Sequence, residues 1–196
     1  MNGILIALLV VVVLAVVLIA WVVGLYNGLV VLKNRFKNAF AQIDVQLRRR
    51  YDLIPNLVNT VKGYAAHELE TLQSVTDART KATSVTIDPS TATPAQMEAW
   101  MEAQDEVNGA LGRLIAVAES YPDLKANENF MQLQQQLEGT ENRISTERRK
   151  YNEAVREYNV AIRRFPSNII AGMFGFEKME LFEAAEGAEA VPVVEF

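Results

Sequence analysis

The chain has no cysteine and one histidine, His67, among 196 residues. The first absence excludes disulfides and thiolate metal sites. The second excludes a multi-histidine metal cluster and the paired Glu-x-x-His motifs of di-iron bundles. Charge is missing from the N-terminal part, where no Asp, Glu, Lys or Arg precedes Lys33. A basic stripe is missing too: the formal net charge is −5, which argues against a nucleic-acid partner. There is no Gly-rich phosphate loop, no Gly-x-Ser-x-Gly elbow, and no second His to follow His67-Glu68. These absences predict no cofactor, no metal and no enzymatic activity. His67 reads as a surface helix residue, and Asp44, Glu68, Glu70, Glu102, Glu106 and Glu153 as a solvated face.

What is present begins with the uncharged stretch. From Ile4 to Tyr26 every residue except Gly24 is apolar or aromatic. A helix needs about 20 such residues to cross the hydrocarbon of a bilayer. Trp21 and Tyr26 suit the aromatic belt at a membrane surface. A cleaved signal peptide would carry a basic start and a shorter core, and Met1-Asn2-Gly3 carries no basic side chain. The expectation is a transmembrane helix over 4–31, with residues 1–3 outside. Lys33, Arg35 and Lys37 follow the span, so the positive-inside rule puts the remaining chain in the cytoplasm.

Beyond the span, apolar residues recur at helical steps. Leu29, Leu32, Phe36, Phe40, Ile43 and Leu47 share one face, and the first helix is expected to run to about Tyr51. Pro55 then predicts a chain reversal, with a kinked continuous helix as the alternative. A second helix is expected over 55–82, with Leu57, Val61, Ala65, Leu72 and Val75 inward. Ser84 to Thr93 reads as a loop, and Thr93-Pro94 as the N-cap and first position of a helix over 94–119. A fourth helix is expected over 126–165, with Phe130, Leu133, Leu137, Ile144, Tyr151, Val155, Tyr158, Ile162 and Phe165 inward. The fold class is therefore all-α: the membrane helix continues into an antiparallel up-down four-helix bundle over 32–165, with long coiled-coil-like helices. By alternation, the fourth helix returns to the membrane.

The tail, 166–196, is apolar and then acidic. Ile169, Ile170, Met173, Phe174 and Phe176 are candidates for a lipid interface; the alternative is packing of these side chains onto the bundle. Gly24, Asn27 and Gly28 form a Gly-x-x-x-Gly segment and are candidates for self-association in the membrane. Arg48-Arg49-Arg50 falls at the expected end of the first helix, where cations complement the helix dipole. With Gln42, Gln46, Asn56 and Asn59 these arginines also make a candidate partner surface. Asn56 and Asn59 have the alternative of capping a turn at Pro55.

Several segments together resemble the LemA family of bacterial membrane proteins. They are Gly-Leu-Tyr-Asn-Gly-Leu-Val at 24–30 and the stretch 41–64 containing Gln-Leu-Arg-Arg-Arg-Tyr-Asp-Leu-Ile-Pro-Asn-Leu-Val. Asn127-Glu128-Asn129-Phe130, Glu138-Gly139-Thr140-Glu141-Asn142-Arg143-Ile144, Tyr151-Asn152 with Tyr158-Asn159, Phe165-Pro166 and Pro192-Val193-Val194-Glu195-Phe196 extend it over nearly the whole chain. The resemblance implies a single-pass protein of the plasma (inner) membrane with a cytoplasmic helical bundle and no established enzymatic activity. It also implies association with a membrane zinc metalloprotease or an envelope-stress protein, and one relative takes part in building magnetosome membranes. The resulting expectation is a membrane-anchored scaffold or adaptor that forms a homo-oligomer. The alternative is an envelope-stress sensor or membrane-shaping protein whose tail engages lipid.

Overall fold

The computed structural model describes residues 2–182, all-α, as six helices with no strand among them. They are α1 (Asn2–Lys62), α2 (Leu69–Ser84), α3 (Pro94–Glu119), α4 (Pro122–Lys125), α5 (Glu128–Arg163) and α6 (Ser167–Phe174). The expected outside position of Met1 and the acidic end of the tail, 183–196, lie outside the described residues.

α1 is one helix of 61 residues, about 90 Å at 1.5 Å per residue. It is the one described helix long and apolar enough to cross a membrane, and its side chains from Ile4 to Leu18 are exposed. The expected reversal at Pro55 does not occur; the helix continues through it. Pro deprives the carbonyl four residues back of its donor. That carbonyl, on Tyr51, instead accepts a hydrogen bond from Arg79 Nε of α2 at 2.8 Å. The flanking Ile54, Leu57 and Val61 are fully buried. At about 1.5–3 kcal/mol each, their burial outweighs the ~3 kcal/mol that proline costs inside a helix. The reversal comes later, over residues 63–68. Hydrogen bonds from Gly63 N to the carbonyls of Asn59 and Thr60 finish α1 there.

The four long helices run up and down. α1 packs most extensively on α5, and α2 on α3. Arg50 meets Glu141 near the far end of the α1–α5 pair, and Arg35 pairs with Glu157 nearer the membrane. Lys81 of α2 pairs with Glu106 of α3. α3 starts where Thr93-Pro94 predicts: Gln96 N donates to Thr93 Oγ1 at 3.3 Å, and Thr93 N donates to Gln96 Oε1 at 2.9 Å, a complete capping box. Asn127 caps α5 by accepting from Phe130 N at 3.0 Å. The core contains the expected inward residues, Leu29 through Ile162, with Leu32 and Leu133 half-buried against it and one exception. Phe165 is 75% exposed, because α5 ends at Arg163 and the chain turns before it. His67 is exposed, in the turn after α1 rather than on a helix.

α5 returns to the level where α1 leaves its apolar stretch, and α6 lies there. Phe174 and Phe176 pack on Tyr26, with ring centroids 4.8 and 5.7 Å apart. Gly175, at φ +68°, ends α6 in the left-handed region that glycine adopts without strain. Phe176 N then bonds back to the Ala171 carbonyl at 2.9 Å.

Candidate functional site

After Gly175 the chain turns away from the membrane end and lies along α5 as an extended strap, residues 177–182. Two side-chain pairs on α5 hold it by its backbone. Tyr158 donates its hydroxyl to the Glu177 carbonyl at 3.0 Å, and Tyr151 to the Glu180 carbonyl at 3.3 Å. Asn159 donates to the Met179 carbonyl (2.8 Å) and accepts from the Met179 amide (2.9 Å). Asn152 repeats this double bond with Phe182, at 2.8 Å each way. The spacings match. Seven helix residues rise about 10.5 Å, and three extended residues span about 10 Å. Burial pushes the Tyr151 and Tyr158 phenols up, so both stay protonated as donors. Phe182 closes the strap in an aromatic nest of Phe40, Trp100 and Tyr151.

The membrane-proximal candidates divide. Ile170 is buried and Phe176 half-buried, as the packing alternative predicts. Ile169 (52%), Met173 (71%) and Phe174 (53%) remain exposed beside the end of the span. The segment is thus split between side chains packed on the bundle and side chains left open. Gly24, Asn27 and Gly28 are exposed on one side of α1, and a Cβ at either glycine would meet nothing within 4 Å.

The candidate partner surface requires a correction. Arg50 is fully buried. Its guanidinium donates to Asn108 Oδ1 (2.6 Å) and Gln104 Oε1 (2.7 Å) on α3, and pairs with Glu141 on α5 at 3.3 Å. Tyr51 donates to the same Gln104 oxygen at 2.6 Å. Nor do the three arginines end a helix, since α1 continues a further three turns. Gln42, Arg48, Arg49, Asn56 and Asn59 are exposed, and Gln46 is half-buried. Arg48 pairs with Asp44 at 2.9 Å. Asn56 lies inside α1 and Asn59 in its last turn, and neither caps a turn at Pro55.

An open cleft of about 600 Å³ lies between α1 and α2. Apart from Asp52, its charged groups are engaged structurally: Asp44 by Arg48, Asp88 by Lys37, and Arg79 by the Tyr51 carbonyl. The Ser90 hydroxyl and amide, with Lys37, hold the Asp88 carboxyl below its usual range. Among the described residues no group of three His, Cys, Asp or Glu side chains is placed to hold a metal.

Sequence reasoning missed Arg79, Gln104 and the role of the Asn side chains on α5. A signal for the last was present. Tyr-Asn recurs at 151–152 and 158–159, seven residues apart, and an Asn at a core-facing heptad position needs a polar partner.

A model of the LemA family matches residues 39–196. Magnetosome protein MamQ 2 of Paramagnetospirillum magneticum is 29% identical over 195 aligned residues, covering 90% of this chain and 72% of the relative. Protein LemA of Metamycoplasma hominis is 28% identical over 164 residues, covering 84% of this chain and 71% of the relative. Magnetosome protein MamQ of Magnetospirillum gryphiswaldense is 25% identical, covering 80% and 64%. The match of the family model, which takes in α2 to α6 and most of α1 beyond its apolar part, shows that this chain belongs to the LemA family.

Proposed function

We propose that the protein is a membrane-anchored helical scaffold that self-associates in the plane of the plasma (inner) membrane and has no catalytic activity of its own. The observation that carries this reading is the continuity of α1. One helix runs from the apolar stretch to the far end of the bundle, so the bundle is held by a rod rather than a flexible linker. The open face at Gly24, Asn27 and Gly28 supports self-association through the span, since small residues let helices approach closely in lipid. Lys33, Arg35 and Lys37 support a cytoplasmic bundle. The exposed polar residues of α1, Gln42, Arg49, Asn56 and Asn59, offer a surface to a heterologous partner. A membrane protease or an envelope-stress protein is the kind implied by the resemblance.

The chain has no cysteine, so single-site oxidation in native membranes is a clean test. Asn27→Cys gives disulfide-linked dimers on this reading, whereas Leu18→Cys, exposed on the face opposite Asn27 by helical geometry, does not. Equal yields at both sites, or none at Asn27→Cys, contradict it.

A second reading, contact of the tail with lipid, is favoured by the exposure of Ile169 and Met173 beside Tyr26. With Trp21 and Trp100 replaced by Phe, a Met173→Trp chain in bilayers should be quenched by lipids brominated near the headgroup. Emission indifferent to bromine would remove this reading.

A further inference from the structure

A seam runs between α3 and α5. α3 packs chiefly on α2, and α5 on α1, so these two neighbours stand apart along it. Trp100, Gln104, Leu111 and Ile115 mark the α3 wall, at steps of four, seven and four. Asn152, Arg148 and Glu138 mark the α5 wall. The strap fills the membrane-proximal half. At its end, the Phe182 ring lies 5.7 Å from Trp100 and under the Arg148 guanidinium at 5.4 Å. Farther from the membrane the seam is an open groove of about 450 Å³, floored by Leu111, Ile115 and Leu137, with Gly112 in its α3 wall.

We propose that this groove is the docking site of the chain's own C-terminal segment, residues 183–196, which continues the path of the strap and seats Val191–Val194 on the apolar floor. Three observations point to this occupant. The first is continuity: the strap already enters the seam and heads toward the groove. From Asn152 to Glu138 α5 rises about 21 Å, and the eight residues 183–190 reach at most about 27 Å when extended, so the apolar terminus arrives at the groove.

The second is unmet polarity. Arg50 Nε, Gln104 Nε2 and Arg148 Nε are buried donors with no partner among the described residues. Arg50 and Gln104 are fully buried. Glu183, a carboxylate, follows Phe182 directly. The third is register. Glu recurs at 177, 180, 183, 186 and 189, the three-residue step at which Tyr158 and Tyr151 grip the strap. The rim acids do not oppose the match, because Glu141 is paired with Arg50 and Glu138 is exposed at the groove edge.

The test uses the full chain in nanodiscs. Gly112→Cys lines the groove, and its Cβ meets nothing within 4 Å. Gly109→Cys, one turn earlier on α3, faces the α2 side, with only Arg113 Nη1 near its Cβ, at 3.7 Å. Each is combined with Val194→Cys and oxidised. The expected result is an intrachain disulfide with Gly112→Cys that forms faster than with Gly109→Cys by more than an order of magnitude. Interchain dimers through Cys at 112 would overturn the proposal in favour of a second copy's tail, and equal rates at both positions would overturn it outright. A second readout needs no disulfide: deleting 191–196 should raise the maleimide labelling rate of Gly112→Cys and leave that of Gly109→Cys unchanged. Unchanged labelling at both would contradict the docking.

Discussion

Pro55 and Arg79 settle the path of the longest element between them. Proline leaves the Tyr51 carbonyl without its helical donor, and Arg79 supplies another from a different helix. A sequence reading weighs Pro55 by its local cost and finds a turn; the compensating donor lies 28 positions away and becomes visible only in the fold. Arg79→Ala should therefore destabilise the bundle by about 1–3 kcal/mol, the cost of leaving a buried acceptor unmet, measured by chemical denaturation. The effect should disappear with Pro55→Ala, which restores the backbone donor. Arg50 was misread for a related reason. A triple-Arg run suggests a surface, but helical geometry fans the three side chains apart and turns Arg50 inward. Arg50→Ala leaves buried Gln104 without a partner it now has and should cost about 1–3 kcal/mol, whereas Arg49→Ala should be near neutral.

At the scale of elements, the strap shows how side chains substitute for a sheet. An extended segment needs partners for its amides and carbonyls, and α5 provides them at a seven-to-three register. Asn159→Ala removes two of these bonds at once and should loosen 177–182, read as faster amide exchange at Met179 while α1 and α5 stay protected. Alkaline pH offers a gentler probe. Burial raises the Tyr151 and Tyr158 phenols above their ordinary value of 10.0. A group whose folded value is raised adds stability that is complete below the unfolded value and is lost as pH climbs through the folded one. Ultraviolet titration should thus show these two tyrosines ionising above the ordinary phenol range, with the strap released at that stage. The helical elements themselves were legible. Thr93-Pro94 marked the start of α3, and the seven-residue spacing of Leu137, Ile144, Tyr151 and Tyr158 marked the buried side of α5. The strap was not, because its stability resides in contacts to another element rather than in its own propensity.

For the molecule as a whole, the sequence showed the split between an uncharged apolar stretch and an amphipathic remainder, and from that the all-α class and the return of the last long helix to the membrane end. It did not show that the span and the bundle share one unbroken helix past Pro55, and the proposed scaffold role rests on that continuity. A rod that carries small residues at its membrane exit and a bundle above them presents copies of itself in parallel when the spans associate. The most direct measurement is the mass of the full-length protein in nanodiscs, beside that of the Gly24→Leu/Gly28→Leu variant. The account predicts a defined oligomer for the wild-type chain and a shift to monomer in the variant, with helicity unchanged because both glycine sites are open. A wild-type chain that remains monomeric at every protein-to-lipid ratio would contradict it.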